Sequence, residues 1–284
     1  MPILPDVPGV TTAVSAAWAG RKILGPTLNK MGEQLRERYS AFSAGNLSRV
    51  IDLAEAKLGQ RKDQPGEFSP RVLLKIFDEA AWCDAPVMAE YFGGILAASR
   101  SDDGSDDRGA SWASFVSRLA SFDVYLHYLC FDAFRTLYVG ETQLNLAMDT
   151  DRALDKTGIF IPWNALGQTL GLDDFQAWNT VLTPSISALV RENLFGPAWA
   201  MGASDYLGQR YQMDTPEAGI VVGVDLPGLE LFNWAHGKRN AIPNSILDTR
   251  ETYEVTEDIG HLSGCMRVRD MQAERRVRQS IPGA

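Results

Sequence analysis

Histidines are the first residues in this 284-residue sequence that could do chemistry, and there are three of them. None of His127, His236 and His261 lies at metal-ligand spacing from a second candidate ligand. His236 precedes a glycine, which predicts the C-terminal end of a helix. His127 shares a helical turn with tyrosines, which favours the edge of a core over a catalytic pair. The histidines therefore predict structural positions.

Aspartates are concentrated in the segment RSDDGSDDRGA, residues 100–110. Four aspartates around a glycine resemble part of a calcium-binding loop, which requires a glutamate at its twelfth position. Counted from Asp102 or Asp103, that position is Ala113 or Ser114, and neither supplies the carboxylate. The segment therefore predicts a solvated linker.

Asp78, Glu79 and Asp84 could meet in a cleft, although solvated helix ends explain them equally well. The chain contains no nucleophile elbow, P-loop or dinucleotide-binding fingerprint. Its three cysteines are far apart and odd in number, which argues against a disulfide framework and favours a reducing compartment. We predict a non-enzyme with no catalytic residue, no metal and no cofactor.

Charge is distributed unevenly along this chain of net charge −9. Residues 1–62 carry nine basic and five acidic groups, whereas residues 141–260 carry seven basic and seventeen acidic groups. Residues 261–284 are basic again, with five arginines against two acids. The basic ends predict contacts with an anionic surface such as a membrane. The candidate residues are Arg21, Lys22, Lys30, Arg275, Arg276 and Arg278.

The elements that must position these residues are helical up to about residue 140. Ser69–Pro70 and Ala85–Pro86 have the order expected of an N-cap and a first helical residue. Apolar residues then recur at helical spacing, which predicts a helical domain over residues 1–140.

A smaller unit of mixed structure is predicted for residues 141–241. Gly171 and Gly196 are the expected ends of its two central helices, and a final helix is expected in PGLELFNWAHG. The order helix, helix, strand, strand is that of a winged helix. Four segments are the candidate strands: TQLNLAM, GIFIP, AWAMGASDYLGQRYQM and GIVVGVDL. Three tryptophans are expected to pack within this unit: Trp163, Trp178 and Trp234.

Residues 242–284 predict an extended or partly disordered basic tail. The predicted fold is thus mainly α, a helical bundle followed by a small α+β unit.

Gly93 and Gly94 stand side by side inside a predicted amphipathic helix, where each glycine costs about 1 kcal/mol relative to alanine. Ala89, Gly93 and Ala97 recur every four residues, so one helix face is nearly bare. We expect close packing against another helix of the same chain, with a subunit interface, a partner interface or a hinge as alternatives. Gly94 is expected to tolerate a side chain better than Gly93 if only one stripe is in contact.

Two runs, VLLKIFDEAAWCDAPVMAEYFGGILAAS and SWASFVSRLASFDVYLHYL, resemble the core of the abortive-infection alpha family of bacterial phage-resistance proteins. The resemblance covers roughly residues 20–140. Leu226–Pro227 resembles the start of the final helix in the winged-helix-like region with which family members end. The chain departs from the family at its glycine pair and in its longer basic tail. The residues that carry the resemblance are Leu73, Leu74, Glu79, Ala80, Ala81, Asp84, Phe92, Gly93, Ile95, Leu96, Ala97, Phe115, Leu119, Asp123 and Leu126.

The resemblance implies a phage-defence protein and brings no catalytic motif. We therefore expect a cytoplasmic defence component that acts by binding, through a protein partner or self-association. The alternative is a winged-helix DNA-binding regulator. Its second helix offers Gln176, Asn179 and Arg191 within a strongly acidic segment, so nucleic acid is not the expected partner.

Overall fold

A computed structural model describes residues 41–149, 153–172 and 178–280, and the protein is mainly helical in this part of the chain. The described residues form two compact units, each assembled from separate stretches of sequence. The first unit contains residues 41–121, 233–240 and 254–258. The second contains the described residues of 122–232, 241–253 and 259–280. These units do not follow the predicted boundaries at residues 140 and 241.

Four helices form most of the first unit: α1 (Ala41–Leu58), α2 (Pro70–Ala80), α3 (Pro86–Ala98) and α4 (Arg108–Val116). The predicted helix starts at Pro70 and Pro86 are confirmed. Ser69 and Ala85 are extended, because a proline disfavours the helical conformation in the residue before it. A 3-10 helix, Gly59–Asp63, follows α1.

Helix α3 is buried on every side, since all residues from Val87 to Ala98 are inaccessible to solvent. The prediction of an amphipathic helix is wrong here. Helices α1, α2 and α4 pack around α3, and the C-terminal end of a later helix closes the remaining side. A helix that is apolar or small on all faces is typical of a core position.

Eight further helices follow in the described chain: α5 (Ser121–Tyr138), α6 (Leu146–Asp149), α7 (Ala153–Thr157), α8 (Trp163–Leu170), α9 (Thr183–Arg191), α10 (Ser204–Tyr211), α11 (Leu226–Ala235) and α12 (Val268–Ser280). A π-helical turn, Trp178–Leu182, precedes α9, and Pro184 lies in the first turn of α9. Gly171 ends α8 in the left-handed conformation, as predicted.

The four strands of the second unit are β1 (Gly158–Pro162), β2 (Ala200–Gly202), β3 (Gly219–Gly223) and β4 (Met266–Arg267). They form one antiparallel sheet in the order β2-β3-β1-β4. The predicted strand GIFIP is confirmed, and GIVVGVDL is confirmed over its first five residues; every residue of β1 and β3 is buried. The core beside the sheet contains Phe160, Ala200, Leu207, Met213, Val221, Val268 and Met271.

Two of the predicted strands are wrong in whole or in part. TQLNLAM contains no strand, because Asp149 accepts a hydrogen bond from the Asn145 backbone N–H at 2.9 Å and closes a helical turn. AWAMGASDYLGQRYQM is a strand only over Ala200–Gly202, and α10 then begins at Ser204. Leu207 and Tyr211, four residues apart, both pack on the core beside the sheet.

Two helix ends also differ from the predictions. Helix α9 ends at Arg191 rather than at Gly196, because Asn193 adopts a positive φ of 57° and terminates it. The predicted extended tail is helical over Val268–Ser280. Val268 and Met271, three residues apart, anchor α12 in the core, so packing orders a segment of weak periodicity.

The three tryptophans do not share one environment. Trp163 and Trp178 are in contact in the second unit, with ring centroids 3.8 Å apart and ring planes at 76°, as predicted. Trp234 is 2% exposed but belongs to the first unit, where its ring lies 6.4 Å from that of Trp112. Its predicted place in the C-terminal unit is wrong, because the end of α11 is part of the first core.

Candidate functional site

Gly93 faces helix α1. A Cβ atom at Gly93 would lie 2.7 Å from Leu53 Cβ and 3.1 Å from the backbone oxygen of Val50. Nonbonded carbon atoms prefer a separation of about 3.5 to 4.0 Å. The close approach expected from the four-residue spacing is therefore present, and it is made by the chain's own helix.

Gly94 faces the C-terminal end of α11 instead. A Cβ atom at Gly94 would lie 1.7 Å from the backbone oxygen of Ala235. The expectation that Gly94 tolerates a side chain better than Gly93 is wrong, because two stripes of α3 are in contact rather than one. Ala89 and Ala97 are buried as well. The candidate contact face of α3 is thus a packing surface of the first unit.

Helix α3 also contains a buried charge that the sequence analysis did not identify. Glu90 Oε2 lies 2.6 Å from Lys57 Nζ, and both side chains are at most 5% exposed. Glu90 Oε1 accepts hydrogen bonds from the backbone N–H groups of Thr256 and Glu257, at 2.7 and 2.8 Å. Burial lowers the pKa of Lys57, and the charge of Glu90 opposes that shift. The carboxylate thereby ties residues 254–258 to α3 within the first unit.

A groove of about 930 Å³ lies between α2 and α4 of the first unit. Its apolar surface comes from Leu74, Ala110 and Phe115. Around them are three basic side chains and one acidic side chain. The full lining is Arg71, Leu74, Lys75, Asp78, Ala110, Ser111, Ser114, Phe115 and Arg118. We call it the α2–α4 groove, and it is an open surface with a small positive charge on an otherwise acidic protein.

The basic side chains of the α2–α4 groove are held by local contacts. Arg71 pairs with Asp107 at 2.7 Å, and Lys75 pairs with Glu79 at 2.6 Å. The Arg118 guanidinium lies 5.2 Å from the centre of the Phe115 ring. The Arg71–Asp107 pair is exposed, and exposed ion pairs contribute little to stability. The charge of Arg71 therefore remains accessible to a partner.

Trp82 stands out among the apolar residues of the first unit because it is 73% exposed. It follows Asp78 by four residues and lies just beyond the C-terminal end of α2. Tryptophan is enriched among the residues that dominate protein interfaces. The sequence analysis missed the α2–α4 groove and Trp82. The spacing 71, 74, 75, 78 on one stripe of α2 is the signal that could have found the groove.

His127 is a core residue, as predicted. Its imidazole Nε2 lies 3.2 Å from the backbone oxygen of Gly228, to which it donates its N–H, and its ring lies 4.4 Å from that of Phe131. Burial lowers its pKa to about 3, so the ring is neutral at physiological pH. His236 is buried near the end of α11, where Gly237 adopts a positive φ of 74°, which fits the predicted helix end. His261 is exposed.

The carboxylates and the cysteine near the C-terminal end of α2 contact residues that are close to them in the chain. Asp78 lines the α2–α4 groove, whereas Glu79 pairs with Lys75. Burial, together with nearby carboxylates, raises the pKa of the Cys83 thiol to about 11, so it is not a thiolate at neutral pH. Asp103 of the predicted linker accepts a hydrogen bond from Ser105. In the described part of the chain, no group of three His, Cys, Asp or Glu residues could hold a metal ion.

The candidate residues for an anionic surface fall into three cases. Arg21, Lys22 and Lys30 lie outside the described residues. Arg275 donates hydrogen bonds to the backbone oxygens of Gly208 and Met213, at 2.7 and 3.1 Å. Arg276 and Arg278 are exposed, and Arg278 lies 3.4 Å from Asp214. Arg275 is therefore engaged in holding α12, whereas Arg276 and Arg278 lie on its exposed surface.

No family model matches the chain, and neither the curated proteins nor the solved structures contain a detectable match. Within the described residues, no helix has the length and apolar character needed to cross a membrane.

Proposed function

We propose that this protein is a non-catalytic phage-defence component that acts in the cytoplasm by binding a protein partner. Two lines of argument support the proposal. The sequence between about residues 20 and 140 resembles the abortive-infection alpha family. The α2–α4 groove provides a binding surface within the same segment, and Trp82 is exposed just beyond the end of α2. That surface is the observation that carries the proposal.

The chemistry of the α2–α4 groove favours an acidic partner segment with apolar residues. Three basic side chains line the groove against one carboxylate, that of Asp78. Asp107 and Glu79 pair with Arg71 and Lys75 from outside the lining, and an acidic partner segment would compete with these two pairs. Complementary charge steers association and excludes other partners. Buried aromatic anchors provide most of the affinity in such interfaces, a role that Trp82 fits. The partner is an effector encoded nearby, an infection-made protein, or a second copy of this chain.

Phage plating tests the proposal. Cells that carry the gene and its neighbours are compared with cells that lack the gene, across a broad phage panel. We expect protection in the first strain, and at least a tenfold loss of protection with Trp82→Ala. Met148→Ala is the matched control, because Met148 is also a 73% exposed apolar residue. Unchanged plating in all strains would contradict a defence function, and an equal loss with both variants would contradict the role of Trp82.

The sheet topology favours one alternative, a winged-helix DNA-binding regulator. Helices α8 and α9 lie between β1 and β2 in sequence. The first three strands lie in the sheet in the order β2-β3-β1, which is the order of a winged helix. In the described part of the second helix, Asn179 and Arg191 could read DNA, whereas Gln176 lies outside it. A gel shift at two salt concentrations distinguishes the two functions, because phosphate contacts weaken steeply with salt. A salt-sensitive shift would favour the regulator.

A further inference from the structure

Three arginines of the first unit are held next to one another by backbone carbonyl groups. Arg61 lies in the 3-10 helix after α1, Arg100 follows α3, and Arg239 follows α11. Arg100 Nη1 donates to the backbone oxygen of Arg61, and Arg239 Nη1 donates to the backbone oxygen of Arg100 at 3.2 Å. Arg61 Nη2 donates to the backbone oxygen of Gly237 at 2.8 Å. We call these three residues the arginine cluster.

The position of Arg100 is set by its surroundings. Its Nη2 donates to the backbone oxygen of Gln64 at 2.6 Å, and its guanidinium lies against the backbone of Gly66. A Cβ atom at Gly66 would lie only 3.2 Å from the guanidinium carbon, so a glycine is well suited to this position. Arg100 is therefore a fixed positive charge at the centre of the arginine cluster.

The arginine cluster carries more positive than negative charge. Among the described residues, Arg61 and Arg100 form no ion pair with a carboxylate, and Arg239 lies 3.4 Å from Asp106 Oδ2. Asp106 is shared with Arg108, at 2.7 Å. Partial burial and the neighbouring charges of Arg239 and Arg100 lower the pKa of Arg61, as expected for guanidinium groups without a counter-ion. Carbonyl dipoles hold this group of cations together but do not neutralise it.

Donors of the arginine cluster remain available for a ligand. Arg61 is exposed, and in the described structure its hydrogen bond to Gly237 uses only Nη2 and leaves Nε and Nη1. Arg239 retains access to solvent, with 26% of its side chain exposed. Planar guanidinium groups match the geometry and charge of phosphoryl oxygens, which accept several hydrogen bonds at once.

We propose that the arginine cluster is a binding site for a phosphoryl group of a small molecule, with Arg61 and Arg239 as the contacting residues and Arg100 as the fixed central charge. This site is separate in its residues from the α2–α4 groove, so the inference goes beyond the proposed function. The shared ligand chemistry is a phosphate dianion, which a free inorganic phosphate or a nucleotide could supply.

Calorimetric titration of the full-length protein with inorganic pyrophosphate tests this site, with sodium chloride of equal ionic strength as the blank. We expect binding by the wild type and at least a tenfold weaker affinity for Arg61→Gln, since one charge-assisted contact is lost. Arg250→Gln is the matched control, because the Arg250 side chain is 87% exposed and the charge change is the same. Titration with ADP distinguishes a nucleotide from free pyrophosphate as the source of the group.

Absence of binding by the wild type at millimolar pyrophosphate would overturn the proposal, and so would equal weakening by Arg61→Gln and Arg250→Gln. If Arg61→Gln lowers the melting temperature in chloride, Arg239→Gln provides the second test, with the same tenfold loss expected. Retained affinity in a folded Arg239→Gln protein would then overturn the assignment.

Discussion

The two units of this protein contain helices that are buried to very different extents. In the first unit, α3 has no exposed face, and backbone contacts at Gly93 and Gly94 bring its neighbours unusually close. In the second unit, α12 is exposed over most of its surface and enters the core through Val268 and Met271. The packing of α3 thus depends on small residues that allow close contact, whereas that of α12 depends on two large residues that reach a core.

Two buried polar groups, one in each unit, also differ in their charge. The first unit buries a charge, Glu90, and compensates it with Lys57 and two backbone N–H groups. The second buries His127 as a neutral ring. A buried ion pair is sensitive to loss of either partner, whereas a buried neutral histidine is sensitive to pH. The comparison therefore predicts different responses of the two units to substitution and to acid.

The largest expected effect is that of Gly94→Ala. The new Cβ would overlap the backbone oxygen of Ala235, which cannot move aside without displacing α11, and we expect the free energy of unfolding to fall by more than about 4 kcal/mol. Gly93→Ala meets a Leu53 carbon at 2.7 Å and should lose about 1 to 3 kcal/mol. Denaturant unfolding measures both changes.

Gly45→Ala is the matched control for the glycine pair. Gly45 lies in α1 with no atom within 4 Å of its added Cβ, so helix propensity should stabilise this variant by about 0.5 to 1 kcal/mol. If Gly94→Ala proved as stable as Gly45→Ala, the close-packing account of α3 would fail.

The second prediction concerns the buried charge of α3. Glu90→Gln keeps an acceptor for the N–H groups of Thr256 and Glu257 but leaves Lys57 without its counter-charge, and we expect a loss of about 3 kcal/mol in unfolding free energy. The double variant Glu90→Gln with Lys57→Met should recover much of that loss, because it removes the uncompensated charge.

Glu79→Gln provides the comparison with a partly exposed pair. Its partner Lys75 is about one third exposed, so this variant should lose less than about 1 kcal/mol. Equal losses for Glu79→Gln and Glu90→Gln in denaturant unfolding would show that burial of the Glu90–Lys57 pair has no special weight.

The third prediction concerns acid and the second unit. The folded pKa of His127 is about 3, below its ordinary value of 6.5, so the unfolded chain binds this proton first as the pH falls. Its contribution to stability is complete above pH 6.5 and decreases by about 1.4 kcal/mol per pH unit from there down to about pH 3. Between pH 7 and 4.5, His127→Gln should therefore lose about 2 to 3 kcal/mol less stability than the wild type.

The exposed His261 provides the control for this pH series. His261→Gln removes an exposed imidazole, and an effect that depends on burial should be absent from this variant. A His127→Gln profile that follows the wild type would rule out neutral burial of His127 as a source of acid sensitivity.

The smallest expected effects lie on α12. Arg275→Ala leaves the backbone oxygens of Gly208 and Met213 without this donor and should lose about 1 kcal/mol of unfolding free energy. Arg276→Ala should change stability by less than about 0.5 kcal/mol, because Arg276 is exposed.

Vesicle binding should show the reverse order. If α12 contacts anionic lipid, Arg276→Ala and Arg278→Ala should each weaken binding to phosphatidylglycerol vesicles by about 1 kcal/mol, and Arg275→Ala should weaken it less. Phosphatidylcholine vesicles provide the blank. Binding that survives the double substitution at positions 276 and 278 would exclude this surface. Point substitutions are preferable to deleting the tail, because Val268 and Met271 belong to the core.

Local signals in the sequence predicted many of the elements correctly. Proline set the starts of α2 and α3, and Gly171 set the end of α8, because these residues restrict or permit particular backbone angles whatever surrounds them. The short apolar runs in β1 and β3 indicated strands, because apolar runs of this length that contain β-branched residues are typical of buried strands. The predictions failed at TQLNLAM and at the C-terminal tail, where a hydrogen bond from Asn145 to Asp149 and the packing of Val268 decided the outcome.

The sequence by itself determined that two adjacent glycines lie inside a helix, and it favoured close contact as their role, since such a pair is otherwise unfavourable. Only the tertiary structure decided which neighbours they meet, that Gly94 is the tighter position, and that Arg61, Arg100 and Arg239 lie together. Backbone preferences act between residues near one another in the chain and can be read from it. Packing and charge act between residues that are distant in the chain, and their partners are determined only when the whole chain has folded.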